Sequence, residues 1–196
     1  MKIAIIKYNA GNICSVDYAL RRFGIEPVIT SDPEEIGGAD KVIFPGVGHA
    51  GATMLHLRQL GLDRTILSLR QPVLGICLGM QLLCRHSSEG DVDCLGVFDV
   101  EVDRFIPQSH ADKVPHIGWN VLKDVKTKLF DAEIEGRHVY FVHSYFVPLN
   151  PHTAATTSHI HPFSAALSKD NFYATQFHPE KSGDTGERIL KNFLHL

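Results

Sequence analysis

Two short segments, far apart in the chain, carry residue types that work together in nucleophilic catalysis. Gly75-Ile76-Cys77-Leu78-Gly79 follows the apolar pair Val73-Leu74 and runs into Met80-Gln81-Leu82-Leu83, so a cysteine stands where a buried strand turns sharply into a helix. This is the shape of a nucleophile elbow: small flanking residues let the backbone crowd its neighbours, the side chain points outward, and the N–H groups that open the helix face any oxyanion formed there. The positive end of that helix favours negative charge on the sulfur. A cysteine between glycines is more often a small core residue, but its position at the turn reverses that preference. The second segment, Gln176-Phe177-His178-Pro179-Glu180, follows the strand-like Phe172-Tyr173-Ala174-Thr175. It puts a base at a strand end, and Pro179 fixes φ so that Glu180 can turn back towards the imidazole. A thiol needs a base and the base needs an orienting group, which makes Cys77, His178 and Glu180 a candidate triad.

The elements that must hold these residues are legible as periodicities. Ile3–Ile6 is a β-branched apolar run, Val28 to Thr30 a second short one, Val42-Ile43-Phe44 a third and Val73 to Ile76 a fourth. Runs of this kind read as strands buried on both faces. Between them, Val16, Ala19, Leu20 and Phe23 recur at the spacing of one helical face, closed by Gly24, and a helical stretch passes through Met54, Leu57 and Leu60. Strands alternating with amphipathic helices predict a parallel sheet covered on both sides. From about residue 97 the pattern changes: Phe98, Val100 and Val102 alternate with Asp99, Glu101 and Asp103, as in a strand with one wet face. Further strands are predicted at 119–123, 137–145, 153–160, 163–168 and 172–177, with a last helix near 184–195. No internal repeat or linker divides the chain, and both halves are expected to share one sheet system.

Composition sets the bounds. With 196 residues, 44% of them hydrophobic and 21% charged, the chain matches one ordinary globular domain and excludes disorder, collagen and coiled coil. Nineteen basic against 22 acidic residues, without long runs of one sign, argue against a nucleic-acid partner. No segment reaches the ~20 apolar residues of a membrane span, and Lys2 and Lys7 break the N-terminal run before it could act as a signal peptide, so a cytoplasmic location is expected. The cysteines Cys14, Cys77, Cys84 and Cys94 show no CxxC spacing and are expected as thiols. His159 and His161 stand on one face of a possible strand with no third ligand nearby, so no metal site is expected.

The cysteine elbow with the His-Pro-Glu segment resembles the class I (triad) glutamine amidotransferases, whose glutaminase domains release ammonia from glutamine. Finer features resemble one branch of that family, the glutaminase subunit of imidazole glycerol phosphate synthase in histidine biosynthesis. These features are Tyr8-Asn9-Ala10-Gly11-Asn12 with Ser15-Val16, Pro45-Gly46-Val47-Gly48, Pro115-His116-Ile117-Gly118-Trp119-Asn120, Tyr140-Phe141-Val142-His143-Ser144-Tyr145 and Lys181-Ser182-Gly183. The resemblance runs from residue 3 to 193, and the sequence departs from the usual pattern at Cys14, at His49 and at His159-Ile160-His161-Pro162.

The resemblance implies a single domain over 1–196: α/β, a flavodoxin-like open sheet, mostly parallel, joined by antiparallel strands from the C-terminal half, with helices on both faces. It implies that Cys77 attacks the carboxamide of L-glutamine, that His178 deprotonates the thiol and protonates the departing ammonia, and that Glu180 orients the imidazole. Gly46, Val47 and Gly48 would form the oxyanion strand with Leu78, and Gln81 would help hold the substrate. Asn12, Trp119, Tyr140 and Lys181 would lie at or near the face that meets a cyclase partner, a (β/α)₈ barrel that accepts the ammonia in a heterodimer. For residues 45–48 the bland alternative is a tight turn; for Asn12, Tyr140 and Lys181 it is a helix cap, a core aromatic and a solvated lysine, and for Trp119 it is core packing. No cofactor is implied, because amide hydrolysis requires only nucleophile, base and oxyanion hole. Two glycines in the oxyanion strand suggest a peptide that could flip, so the chain alone is expected to be slow and its partner to raise kcat. The rival readings are the glutaminase of pyridoxal phosphate synthase, with another barrel partner, and a redox-sensing protein built around an exposed elbow cysteine.

Overall fold

A computed structural model describes residues 1–8 and 12–196. Asn9, Ala10 and Gly11, part of the segment Tyr8 to Asn12 singled out above, lie outside the described residues. The N-terminal half runs β1 (Ile3–Ile6), α1 (Ile13–Arg21), β2 (Val28–Thr30), α2 (Pro33–Gly37), β3 (Lys41–Gly46), α3 (Ala50–Gln59), α4 (Leu62–Ser68), β4 (Val73–Cys77) and α5 (Leu78–Leu82). After it come β5 (Cys84–Ser87), β6 (Val92–Asp93), β7 (Phe98–Arg104), β8 (His116–Val121), β9 (His138–His143), β10 (Tyr145–Phe146), β11 (Thr153–His159), β12 (His161–Lys169), β13 (Phe172–Thr175) and α6 (Gly183–Leu194).

The main sheet has the order β11-β12-β13-β4-β3-β1-β2. From β13 to β2 every pairing is parallel, while β12 pairs antiparallel with both β11 and β13. Side-chain alternation sends successive residues into two different cores. Ile3, Ile5, Ile43, Leu74 and Ile76 pack against α1 and α6. Ala4, Ile6, Val42, Phe44 and Val73 pack against α2, α3, α4 and α5. Helices therefore cover both faces, which is why the four N-terminal runs are apolar without interruption.

The expectation of one shared sheet system holds only for β11, β12 and β13. β10, β7, β5 and β6 form a second sheet, and β8 with β9 forms a separate antiparallel hairpin. The predicted helix through Leu83 ends at Leu82, and β5 follows at once. The reason is tertiary: the Phe98 N–H bonds back to the Leu83 carbonyl and Cys84 pairs with Phe98, so β7 captures this segment as a strand. His159 and His161 do not lie on one strand: His159 ends β11 and His161 begins β12, and as a directly opposed antiparallel pair they share one face of the sheet, both rings within 5.4 Å of Phe105. They pair with each other across the β11–β12 turn, where Ile160 has φ +62°. Among the described residues no group of three or more His, Cys, Asp or Glu side chains is placed to hold a metal ion.

Candidate active site

Cys77 ends β4 and immediately precedes α5, with φ +54° and ψ −108°. For a residue with a Cβ this backbone is strained, and strain of this kind persists only where the surroundings impose it. Here they do. A Cβ on Gly79 would lie 2.0 Å from the Phe44 carbonyl oxygen, and one on Gly75 would lie 2.8 Å from a Leu83 methyl. Gly79 is thus required by close approach, while at Gly75 the nearest atom belongs to a movable side chain; this packing brings α5 against β3 and β4 and aims the sulfur out of the sheet.

Gly46 pairs with Cys77 across β3 and β4. A Cβ there would meet the Tyr8 hydroxyl at 2.7 Å and the Gly79 nitrogen at 2.8 Å. Tyr8 is buried below this strand and donates its hydroxyl to the Pro45 carbonyl at 2.5 Å. Burial, and then the neighbouring Cys77, push the phenol's pKa far upward, so it stays a donor. Of the two glycines expected to be conformationally free, only Gly48 has positive φ, at +115°. Gly46 is instead fixed by packing. His49 folds its ring back to accept the Ala52 N–H at the start of α3, and Glu89 accepts the Ala50 N–H at 2.8 Å. The departure at His49 therefore serves as a helix cap.

His178 follows β13 and is fully buried. Its Nδ1 lies 2.8 Å from Glu180 Oε1. The carboxylate accepts, so Nδ1 donates and Nε2 is left to face the cavity beside Cys77. Nε2 has no hydrogen-bonding partner among the described residues, nor does Glu180 Oε2. Burial pulls the imidazole pKa down, but the Cys77 sulfur and the Glu180 carboxylate outweigh it and leave the pKa raised. The strand beside it is locked to this turn: His178 N–H donates to the Tyr140 carbonyl at 3.0 Å, and the Ser182 hydroxyl bridges Tyr140 N–H and the His178 carbonyl.

A cavity of about 330 Å³ opens over the sulfur. Cys77, His178, Leu78, Val47, Gly48 and Gln81 border it, facing a wall formed by residues 142–145 and Pro115. The volume suits a small molecule. A larger polar groove beside α6 contains Arg188, Lys191 and Asp131 but no cysteine. Gln81 borders the cavity, yet its amide nitrogen already donates to the Tyr145 carbonyl at 3.0 Å and to Gln176 Oε1 at 2.9 Å. Gln176, fully buried, then donates to Cys77 Sγ at 3.7 Å. Sequence reasoning gives Gln176 no role, and its only signal there is its place at the head of the His-Pro-Glu segment.

The four residues expected at or near a partner face separate into two groups. Trp119 is 56% exposed and Tyr140 half-buried, their rings 6.0 Å apart on the β8–β9 hairpin, with Lys181 exposed at the end of the short turn Pro179–Lys181. Asn12 stands at the start of α1 but does not cap it with its side chain. Its amide donates to Glu180 Oε1 at 2.6 Å and lies 3.3 Å from His178 Nδ1, so it belongs to the surroundings of the candidate triad.

The sequence matches the family described as glutamine amidotransferase class-I over residues 6–196. It is 67% identical to the imidazole glycerol phosphate synthase subunit HisH of Bacteroides thetaiotaomicron over 196 residues, the whole of both chains. With the subunit of the same name from Escherichia coli it shares 45% identity over 198 aligned residues, again covering both chains completely. A crystal structure of a glutamine amidotransferase superposes with a TM-score of 0.75 at 19% identity, covering 98% of this chain and 97% of the other. A glutamine amidotransferase from Thermotoga maritima gives 0.66 at 19% identity, covering 100% and 83%. These two likenesses concern the fold.

Proposed function

The chain belongs to the class-I glutamine amidotransferase family and, within it, to the HisH subunits of imidazole glycerol phosphate synthase, and from that premise we propose how its site divides the work. It hydrolyses glutamine to glutamate and ammonia. Cys77 is the nucleophile, His178 the base that takes the thiol proton and later protonates the leaving ammonia, and Glu180 the group that holds the imidazole with Nε2 towards the sulfur. The N–H groups of residues 46–48 and of Leu78 stabilise the oxyanion, and Gln81 supports the substrate end of the cavity. The observation that carries this reading is the strained Cys77 backbone beside a His178–Glu180 pair bonded at 2.8 Å.

The ammonia passes to a cyclase partner, a (β/α)₈ barrel that forms a heterodimer with this chain and makes imidazole glycerol phosphate in histidine biosynthesis. The support is an exposed apolar strip at the mouth of the cavity. Ile117, 61% exposed, and Trp119 stand on β8 opposite Val142 and Tyr140 of β9, and Val142 itself borders the cavity. Large exposed apolar side chains grouped in this way suit a protein partner. This reading takes the whole of 1–196 as the glutaminase domain and locates the reaction in the cytoplasm, in keeping with four unpaired cysteines. Among the described residues, no helix is long and apolar enough to cross a membrane.

The deciding experiment is a steady-state glutaminase assay of the chain alone, with the cyclase, and with the cyclase plus its ligand. The expected result is a rise in kcat of about 10²–10³ on adding partner and ligand, the scale of one oxyanion donor. Equal kcat in all three conditions would refute partner dependence.

A further inference from the structure

Behind the cavity wall runs a line of side chains whose proton order the hydrogen bonds dictate. His143 Nδ1 lies 2.7 Å from the Tyr145 carbonyl. A carbonyl only accepts, so this nitrogen carries a proton. His143 Nε2 faces His116 Nδ1 at 3.1 Å. The amide of Asn120 decides where the proton between the two rings sits. Its oxygen accepts the Val121 N–H at 2.8 Å and its nitrogen donates to the Ser158 carbonyl at 2.9 Å. With that orientation set, the same nitrogen donates to His116 Nε2 at 3.3 Å. His116 therefore holds its proton on Nδ1 and donates it to His143, and both rings are neutral with Nδ1 protonated. Their surroundings suit neutral rings: both are buried, and His116 stacks between Phe141 at 4.9 Å and His159 at 4.2 Å.

The other side of the Tyr145 carbonyl accepts from Gln81, which begins the chain through Gln176 to the Cys77 sulfur. One carbonyl is thus the meeting point of a donor chain from β8 and a second chain from α5 that ends on the nucleophile. We propose that His143 and His116 are positioning residues for glutamine hydrolysis, a pair of neutral imidazoles that clamps the Tyr145 carbonyl, and with it the 142–145 wall of the cavity, to the Gln81–Gln176–Cys77 chain. Their effect falls on how glutamine is held rather than on the sulfur's own reactivity, because neither ring bonds to Cys77. The inference rests on the reading that this cavity takes glutamine.

Two measurements on the full chain test it. Nitrogen-15 spectra of the histidine-labelled protein at pH 7, assigned by substitution, should show both rings neutral and protonated on Nδ1. A charged ring, or one protonated on Nε2, overturns the proposed proton order. The second measurement compares alkylation of Cys77 by an electrophilic glutamine analogue with alkylation by iodoacetamide, which needs no formed pocket. In His143→Leu the analogue concentration for half-maximal inactivation should rise about tenfold, the scale of a lost buried hydrogen bond, with iodoacetamide reactivity nearly unchanged. His143→Asn places an amide nitrogen near the position of Nδ1 and should recover most of the loss. If His143→Leu does not fold, Asn120→Leu, at the half-buried end of the chain, should leave His116 without a fixed tautomer and raise that concentration about twofold. Wild-type behaviour of either Leu variant, an Asn variant no better than Leu at position 143, or a parallel fall in both alkylations would overturn the clamp. A wild-type chain that reacts with iodoacetamide and ignores the analogue would instead overturn the glutamine reading.

Discussion

The two halves of the molecule make their contributions to the site by opposite means. In β1, β3 and β4 every residue is buried, and the proposed nucleophile is delivered by a turn that has no room for any other shape. In β8 and β9 buried and exposed positions alternate, and the site contribution is a set of directional bonds from His116, His143 and Asn120. Packing places a reacting atom with little tolerance, because close-packed interiors transmit any volume change. Hydrogen bonds between half-buried strands place a wall, and can be removed one at a time.

Perturbing each half should therefore produce different failures. Cys77→Ala should reduce glutamine hydrolysis by about 10⁴-fold or more while the thermal midpoint stays close to wild type, since one sulfur leaves a turn already held by Gly75 and Gly79. Ammonia release and calorimetry check both parts. Cys84, buried with its thiol pushed well up by burial, should not be the residue alkylated, and Cys84→Ala should keep activity. Gly79→Ala should cost about 3 kcal/mol or more of folding stability, read by denaturant titration, because its Cβ meets a backbone oxygen that cannot move aside.

The polar half should respond to pH. Burial holds the pKa of His143 down to about 3 and that of His116 down to about 4, in both cases helped by neighbouring histidines. The unfolded chain takes up these protons near pH 6.5, so between about 6.5 and 4 it binds more protons than the native state. Stability from this pair is complete above that range and declines as pH falls through it. The slope should be shallower in His143→Asn, as unfolding at pH 7 and pH 5 would show.

Smaller effects are expected at the edges. Asn12→Ala removes a donor from Glu180 and should lower kcat about tenfold with little change in KM, whereas an unchanged kcat would make Asn12 a spectator. Trp119→Ala should change stability by less than about 0.5 kcal/mol, as an exposed residue, yet weaken cyclase binding measured by titration calorimetry.

The proposed triad could be assembled from the chain because its members sit in two local segments whose turn chemistry, glycine beside cysteine and proline beside histidine, is a property of neighbouring residues. The parallel strands were legible for a similar reason: burial on both faces leaves an uninterrupted apolar run. Asn12 was not, since a residue at a helix start reads as a cap until the fold shows that Glu180 lies 2.6 Å from its amide. The same applies to Gln176 and to the bend of Leu83-Cys84 into a strand, where a distant partner overrides local preference.

Local sequence determined which residues could react and what shape each turn would take, because steric limits on φ and ψ and the alternation of side chains act over a few residues. Tertiary structure alone decided the partners of the long-range hydrogen bonds. His116 meets His143, and Gln81 meets both Tyr145 and Gln176, only after β8, β9, α5 and β13 have been brought together by burial of their apolar faces. Burial has no direction of its own, so the order of protons along these chains belongs to the assembled fold and to no segment of it.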